Sequence, residues 1–185
     1  MNFAGFLEDD IADSFDGFCM SLWFNGCDIR CQGCHNKHLW DTKNIIDNAL
    51  IENKIDLTYK KSKERSIPKS LSILGGEPLA IDNRDDLYEI VKSVHIRHPD
   101  MIMRLWTGRT NEQLACLCEE EPKVAEILKL MKTIIVGPYV EALKDDKPFR
   151  GSSNQEILEN GEDYEIKDGH YIYITHIELK AEVTC

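Results

Sequence analysis

The chain has 185 residues, of which 42% are hydrophobic, and it carries a formal net charge of −11 at pH 7 with a pI of about 5.0. This length and composition predict a single packed domain over residues 1–185 rather than a disordered chain. The acidic balance argues against nucleic acid or an anionic membrane surface as a partner, because both require a positively charged face.

The amino-terminal segment is acidic where a secretory signal is basic, and no apolar stretch approaches the length of about 18 residues that a membrane span requires. We therefore expect a cytoplasmic protein. The seven cysteines are an odd number, and three of them lie within residues 27–34. In a reducing compartment such clustering indicates metal binding rather than disulfide bonds.

Strand-like and helical patterns alternate along the chain. The predicted strands are 18–25, 70–74, 101–106 and 133–136, with a later strand-like segment at 171–177. Helical periodicity occupies 44–61, a stretch around 87–94, and a stretch up to 131 that is broken near Pro122. This alternation predicts parallel βα units. Since a complete (βα)₈ barrel needs about 250 residues, the predicted fold class is α/β, a partial barrel with mostly parallel strands.

Three cysteines follow the first predicted strand in the pattern Cys27-x-x-x-Cys31-x-x-Cys34. Thiolates suit soft metals and iron–sulfur clusters, and three of them can bind three corners of a cubane. The fourth iron would then lack a protein ligand and could accept a substrate, as a catalytic metal with an open position does. The spacing alone leaves zinc as an alternative, with His38 completing a closed Cys₃His set.

A glycine-rich turn, Gly75-Gly76-Glu77-Pro78, follows the second predicted strand. Glycine permits dihedral angles that other residues resist and lets a ligand approach the backbone, while Glu77 offers an acceptor for a cationic group. Ligands of parallel α/β proteins sit at the carboxyl ends of strands, where this turn lies. A tight turn without a ligand is the alternative. The position of the turn, one βα unit after the cysteine loop, favours a site.

Together the two motifs resemble the radical SAM superfamily, in which three such cysteines hold a [4Fe–4S] cluster. The resemblance implies a partial barrel of the radical SAM type, with Cys27, Cys31 and Cys34 as the cluster ligands. It also implies that the fourth iron binds the amino and carboxylate groups of S-adenosylmethionine (SAM). The implied SAM contacts are Gly33, His35, Gly75, Gly76, Glu77 and Thr107.

Three further segments are similar to one branch of that superfamily, the activating proteins of anaerobic ribonucleoside-triphosphate reductases. They are residues 25–36 with Trp40, residues 106–110, and residues 136–155, which include the run Arg150-Gly151-Ser152-Ser153-Asn154-Gln155. The similarity spans residues 16–155 in order. Residues 156–185 form a C-terminal extension outside it, with short strands.

Membership of this branch would imply an oxidoreductase that cleaves SAM reductively and generates a glycyl radical on the catalytic subunit of the reductase. A low-potential carrier, flavodoxin-like or similar, would reduce the cluster. A 5′-deoxyadenosyl radical would then remove a hydrogen atom from a glycine of the reductase. The chain itself would need no acid or base, since the electron chemistry belongs to the cofactor.

Two other functions stay open at this point. Small radical SAM enzymes such as 7-carboxy-7-deazaguanine synthase share the Gly-Gly-Glu-Pro turn and the compact size, although the run 151–155 speaks against them. A non-enzymatic zinc module would leave the turn unexplained. The sequence also departs from the branch at Val136 and Lys132, where acidic residues are usual, and at Arg109, where tyrosine is common.

Overall fold

The computed structural model describes residues 1–67 and 69–174. Six strands form the main sheet in the order β1-β2-β3-β4-β5-β6, and β7 and β8 form a separate hairpin. The strands are β1 Phe3–Asp10, β2 Cys19–Phe24, β3 Ser70–Gly75, β4 Met103–Trp106, β5 Thr133–Val136, β6 Glu156–Glu159, β7 Tyr164–Lys167 and β8 His170–Tyr173. The helices are α1 Asn48–Glu64, α2 Arg84–Arg97, α3 Asn111–Glu120 and α4 Pro122–Leu130.

The centre of the sheet is parallel. Strands β2, β3, β4 and β5 pair in parallel with their neighbours, whereas β1 and β6 pair antiparallel at the two edges. Helices connect each parallel strand to the next, which confirms the predicted alternation and gives a mixed α/β fold. The predicted helix break is also confirmed, because Pro122 opens α4, where its missing N–H is tolerated.

The edge strand β1 is the main element that the sequence does not predict. Its middle residues are only half-buried and Leu7 to Asp9 are exposed, so its alternation is weak. It forms because β2 offers a partner, with Phe3 opposite Phe24 and Asp10 opposite Cys19. The predicted strand at 171–177 is confirmed in its first three residues by β8, and residues 175–177 lie outside the described residues.

The two faces of the sheet differ in chemistry. One face joins the helices in a single apolar core, to which the strands contribute Met20, Leu22, Phe24, Leu71, Ile73, Met103, Leu105 and Ile134. The other face has polar neighbours in register, since Ser21 lies opposite Ser72, Ser72 opposite Arg104, and Arg104 opposite Thr133. We call this second face the polar face. Packing by helices therefore leaves the polar face available to loops and ligands.

The C-terminal extension adds to the same core. Strand β6 completes the main sheet, and the β7–β8 hairpin packs on α3 and α4. Two buried tyrosines hold the hairpin: the Tyr164 hydroxyl donates to the carbonyls of Leu128 and Met131, and the Tyr171 hydroxyl donates to Asn111. Among the described residues, no helix is long and apolar enough to cross a membrane.

Candidate active site

A cavity lies at the carboxyl ends of the parallel strands, where the polar face meets the loops. The side chains of Cys27, Cys31 and Cys34 line it together with the turn 75–77. His35 and Thr107 line it as well, while Trp106 and Leu74 supply apolar wall. The structure thus brings eight of the nine predicted site residues to one cavity. The exception is Gly33, which packs against the Glu141 side chain instead.

The cysteine loop wraps back on itself through two residues with positive φ, Arg30 and Gly33. The Cys34 sulfur accepts a hydrogen bond from the Asn36 N–H at 3.3 Å. Near the other two sulfur atoms, the backbone of Ile29 and Arg30 acts to lower the pKa of Cys27, and that of Tyr139 acts to lower the pKa of Cys31. Donors of this kind stabilise a thiolate and are a feature of iron–sulfur ligation. The loop is therefore chemically suited to soft-metal binding.

Burial raises the pKa of the Cys27 and Cys31 thiols above its ordinary value, and nearby carboxylate and thiol groups add to the effect. Without a metal both groups are protonated at neutral pH, so metal binding must release protons. Within residues 1–67 and 69–174, no three or more His, Cys, Asp or Glu side chains are arranged to hold one metal ion. The ligands of a cubane, by contrast, bind different iron atoms rather than one.

The two glycines of the turn are required by strand packing. Gly75 has a φ of +118°, and a side chain there would come within 2.6 Å of the Phe24 backbone. A Cβ at Gly76 would overlap the carbonyl oxygen of Gly26 and lie 3.0 Å from that of Leu39. These contacts require the two glycines independently of any ligand. They let the turn lie directly against the base of the cysteine loop.

Glu77 is almost completely buried, with 1% of its surface exposed. One carboxylate oxygen accepts hydrogen bonds from the Leu79 N–H and the Thr107 hydroxyl, both at 2.9 Å, and the other accepts from the Gly108 N–H at 2.8 Å. Burial raises the pKa of this carboxyl, while those hydrogen bonds and the Arg109 charge act in the opposite direction. Glu77 therefore joins the ends of β3 and β4 and still faces the cavity.

Asn83 joins the two motifs, although the sequence gives no direct sign of this role. Its buried amide donates to the carbonyls of Asn25 and Glu77, both at 2.9 Å, and its oxygen accepts from Asn2. The carbonyl of Asn25 precedes the cysteine loop, and that of Glu77 belongs to the turn. In the sequence, Asn83 shows only that a polar residue follows the turn at the end of β3 by a few positions, which does not predict its partners.

A second link runs from the cysteine loop to the loop after β4. The Arg109 guanidinium pairs with Asp28 at 2.5 Å, and the Ile29 side chain packs against Gly108. Thr110 caps the start of α3 and forms a capping box with Gln113. This capping fixes the path by which the loop after β4 enters the helix. Arg109, where the sequence departs from its branch, is thus an anchor for the residue after Cys27.

The remaining motif residues are placed around the cavity rim. The His35 ring lies 5.3 Å from the Tyr139 ring. In the run 151–155, Gly151 and Gln155 line the cavity, and the Gln155 amide oxygen accepts from the Gly151 and Ser152 N–H groups. The run is therefore a loop held by hydrogen bonds within it.

The two positions that lack the usual acidic residues lie away from the cysteine loop. Val136 is buried in the apolar core. Lys132 precedes β5 and pairs with Glu159 at 3.2 Å. Neither side chain lines the cavity. The replacement of the usual acidic residues at these two positions therefore does not change the residues that line it.

Comparisons with known proteins agree with this geometry. The family model described as "4Fe-4S single cluster domain" matches residues 16–158. A protein of Enterobacteria phage T4, named anaerobic ribonucleoside-triphosphate reductase-activating protein, is 31% identical over 139 residues, which cover 75% of this chain and 82% of that protein. Proteins of the same name from Escherichia coli K12 and Vibrio cholerae O1 are each 26% identical and cover 85% of this chain and 97% of their own length. The chain therefore belongs to the family of anaerobic ribonucleoside-triphosphate reductase-activating proteins, with a 4Fe-4S single cluster domain.

Proposed function

We propose that this chain binds a [4Fe–4S] cluster through Cys27, Cys31 and Cys34, cleaves SAM reductively, and generates a glycyl radical on an anaerobic ribonucleoside-triphosphate reductase. The observation that carries the proposal is that the three thiols line the same cavity as the Gly-Gly-Glu turn. The acceptor protein is inferred from the name shared by the relatives. The fold is interpreted as a partial barrel of the radical SAM type.

The chemistry of the donor set fits a cluster with one open iron. Three cysteines from one loop provide three thiolates, and the Cys34 sulfur already accepts a backbone N–H at 3.3 Å. His38, the fourth ligand of the zinc alternative, is exposed and does not line the cavity. A closed Cys₃His site would therefore need His38 to move into the cavity.

The walls of the cavity also fit SAM, a cation that carries an amino acid and an adenosyl group. Glu77 provides a negative charge, and its second oxygen accepts only the Gly108 N–H in the described structure, which leaves a lone pair for an ammonium group. The Ile29, Leu74 and Trp106 side chains supply apolar surface for the nucleoside. His35 stands at the rim, where it would flank the adenosyl part.

When bound and reduced, the cluster would donate one electron to the sulfonium of SAM, giving methionine and a 5′-deoxyadenosyl radical that takes a hydrogen atom from a glycine of the reductase. The residues of this chain orient and shield the reactants. Glu77 and the turn fix the amino acid end, while Trp106 and Leu74 exclude water. The open edges of the sheet leave space for a loop of a large protein.

A flavodoxin-like or other low-potential protein is proposed as the electron donor. The cysteine loop lies at the surface, with Arg30 and Lys37 exposed beside it, so a carrier could approach without entering the cavity. A donor that reaches the cluster through the protein surface needs no separate channel.

The test is anaerobic reconstitution with iron and sulfide, followed by reduction with dithionite, addition of SAM, and chromatographic assay of 5′-deoxyadenosine. Wild type is compared with Cys31→Ala and with Cys19→Ala, which removes a buried cysteine outside the cavity. We expect the cluster spectrum and SAM cleavage in wild type and Cys19→Ala only. Bound zinc with no cleavage would reject the proposal.

A second measurement identifies the acceptor. The reconstituted protein is mixed with the catalytic subunit of an anaerobic ribonucleotide reductase and SAM, and electron paramagnetic resonance (EPR) reports a glycyl radical. We expect a doublet that disappears when the acceptor glycine is replaced by alanine. SAM cleavage without any glycyl radical would instead favour a small-molecule substrate.

A further inference from the structure

Trp106 is the largest side chain among the residues that line the cavity. Strand alternation places it on the polar face, two residues after Arg104 in β4. Its indole N–H donates to the Phe149 carbonyl at 2.8 Å. This hydrogen bond links the cavity wall to the segment 137–155, which joins β5 to β6 and which we call the strap.

The same hydrogen bond distinguishes Trp106 from the other two tryptophans. Within residues 1–67 and 69–174, the buried indole N–H groups of Trp23 and Trp40 have no hydrogen-bond partner. An indole whose N–H is bonded has a preferred orientation, because turning the ring away leaves the donor without its acceptor. The Phe149 carbonyl therefore acts as an anchor for the Trp106 ring.

The backbone of Phe149 has a conformation that phenylalanine rarely adopts. Its φ is +70°, in the left-handed region that favours glycine. Such a conformation costs free energy and persists only where the surrounding contacts impose it. The direction of the Phe149 carbonyl is thus determined by the contacts of the strap on either side.

Arg150 closes the turn of the strap that contains Phe149. Its Nε and Nη2 atoms donate to the Asp145 carboxylate at 3.1 and 2.6 Å, and its Nη1 atom donates to the Gln155 carbonyl at 3.3 Å. The Asp145 N–H donates to the Gly151 carbonyl at 3.2 Å. The side chains of the ion pair are only 19% and 16% exposed, so solvent screens the pair weakly. The shape of the turn therefore depends on this pair.

We propose that Arg150 and Asp145 are positioning residues that hold the Phe149 carbonyl on the Trp106 indole and thereby increase the affinity of the cavity for SAM. Neither Arg150 nor Asp145 lines the cavity, so both act through Trp106. The inference rests on the proposed function, in which Trp106 offers apolar surface to the nucleoside of SAM. It gives a role to Arg150, the first residue of the run 150–155.

The physical reason is preorganisation. An anchored indole presents its apolar surface before SAM enters the cavity. A released indole samples several rotamers, and SAM binding must then order the ring at a cost that lowers the affinity. Ordering one such side chain corresponds to an increase of about fivefold in the Kd for SAM.

The first experiment measures SAM affinity in the reconstituted full-length protein. The cluster is kept oxidised, so that SAM binds without being cleaved, and equilibrium dialysis gives the Kd. Arg150→Ala opens the turn. The control is Arg97→Ala, which removes a guanidinium that pairs with Glu52 on helices that do not line the cavity. We expect a Kd about fivefold higher for Arg150→Ala and the wild-type Kd for Arg97→Ala.

The second experiment observes the anchor without a cluster or SAM. Nuclear magnetic resonance of the ¹⁵N-labelled full-length protein before reconstitution detects the indole N–H groups, and the signal missing from Trp106→Phe belongs to Trp106. We expect Arg150→Ala to shift this signal and to speed its exchange with solvent, while the signals of Trp23 and Trp40 keep their positions. An unchanged Trp106 signal would contradict the inference.

A double variant separates positioning from a general loss of stability. Trp106→Phe removes the indole N–H, so in this background Arg150→Ala has no anchor to release and should not raise the Kd further. If the effects of the two substitutions on the Kd multiply, Arg150 acts independently of Trp106 and the inference is wrong. If Arg150→Ala does not fold, Asp145→Asn weakens the same ion pair with a side chain of equal size and should also raise the Kd.

The failure of the inference and that of the proposed function give different results. A wild-type protein that binds both cluster and SAM, together with an Arg150→Ala variant of equal SAM affinity, would overturn the inference and leave the proposed function intact. A wild-type protein that binds no cluster, or a cluster but no SAM, would instead remove the proposed function itself.

Discussion

The two ends of the polar face bury ionisable groups in different ways. At the carboxyl ends of the strands, the thiols and Glu77 border an open cavity. At the amino ends, polar groups bond to each other: the Ser21 hydroxyl donates to Asp10, the Ser72 hydroxyl donates to the Asp13 carbonyl at 2.7 Å, and Arg104 pairs with Asp16 at 3.1 Å.

The two ends differ in the free volume beside their polar groups and not in their polarity. At the amino end the Arg104 guanidinium also stacks over the Phe15 ring, which itself stacks on the Phe149 ring at 3.7 Å. None of the residues of this polar cluster, nor either ring, lines the cavity. Buried polar groups alone therefore do not identify a site; they do so where soft ligands and a cavity coincide. Substitutions at the carboxyl end should impair the cluster, and those at the amino end should change stability only.

The largest effect is expected from Gly76→Ala, because the new methyl group would overlap the Gly26 backbone. Backbone cannot move aside as a flexible side chain does, so we expect a loss of about 3 kcal/mol in unfolding free energy. Cluster uptake should fall with it. Gly5→Ala is the control, since nothing lies within 4 Å of a Cβ there. Urea unfolding measures both, and equal midpoints would show that the turn is not packed as described.

Glu77→Gln ranks second. The amide nitrogen would face one of the three donors that now bond the carboxylate, and an unsatisfied buried group costs about 1–3 kcal/mol. The charge proposed to bind the SAM amino group is lost as well. We expect an increased Kd for SAM, measured by equilibrium dialysis with the reconstituted protein. The exposed Glu64→Gln, at the end of α1, should bind SAM like wild type, and an unchanged Kd for Glu77→Gln would exclude Glu77 from SAM binding.

Much of the parallel sheet could be predicted from local signals. Apolar runs such as 70–74 end in glycine turns, and the face of α2 formed by Leu87, Ile90, Val91 and Val94 is buried as its periodicity indicates. The neighbourhood of the cysteine loop and the turn also follows from position, because parallel strands present their carboxyl ends at one edge.

Long-range contacts explain the rest. Asn83 and Arg109 are polar residues near strand ends, and nothing local distinguishes them from solvated ones. Their roles depend on partners far along the chain, with Asn83 bonding the Asn25 carbonyl and Arg109 pairing with Asp28. The steric reason for Gly76 likewise depends on Gly26, which only the pairing of β2 with β3 brings close.

A smaller effect is expected from Asp28→Asn, which removes the ion pair with Arg109. Asp28 is 45% exposed, so the pair is partly screened and should be worth about 1 kcal/mol. This corresponds to about a fivefold faster loss of the cluster to a chelator under anaerobic conditions. Asp41→Asn is the matched control, because within residues 1–67 and 69–174 Asp41 pairs with the exposed Arg30 and Lys43. Equal rates in the two variants would show that Arg109 does not anchor the loop.

The smallest effect, and the one that tests the amino end, is the pH dependence of stability in Asp13→Asn. Burial, together with the neighbouring Asp10, raises the pKa of Asp13 from 3.8 to about 6 in the folded protein. Between these values the folded state holds a proton that the unfolded state has released, so stability falls as the pH rises from about 4 to about 6. Asparagine stays neutral over this range, so the variant should lose less stability than wild type as the pH rises. Urea midpoints at pH 4.5 and pH 7 measure the difference. A variant with the wild-type pH profile, or with impaired cluster uptake, would contradict a purely stabilising role for the amino end.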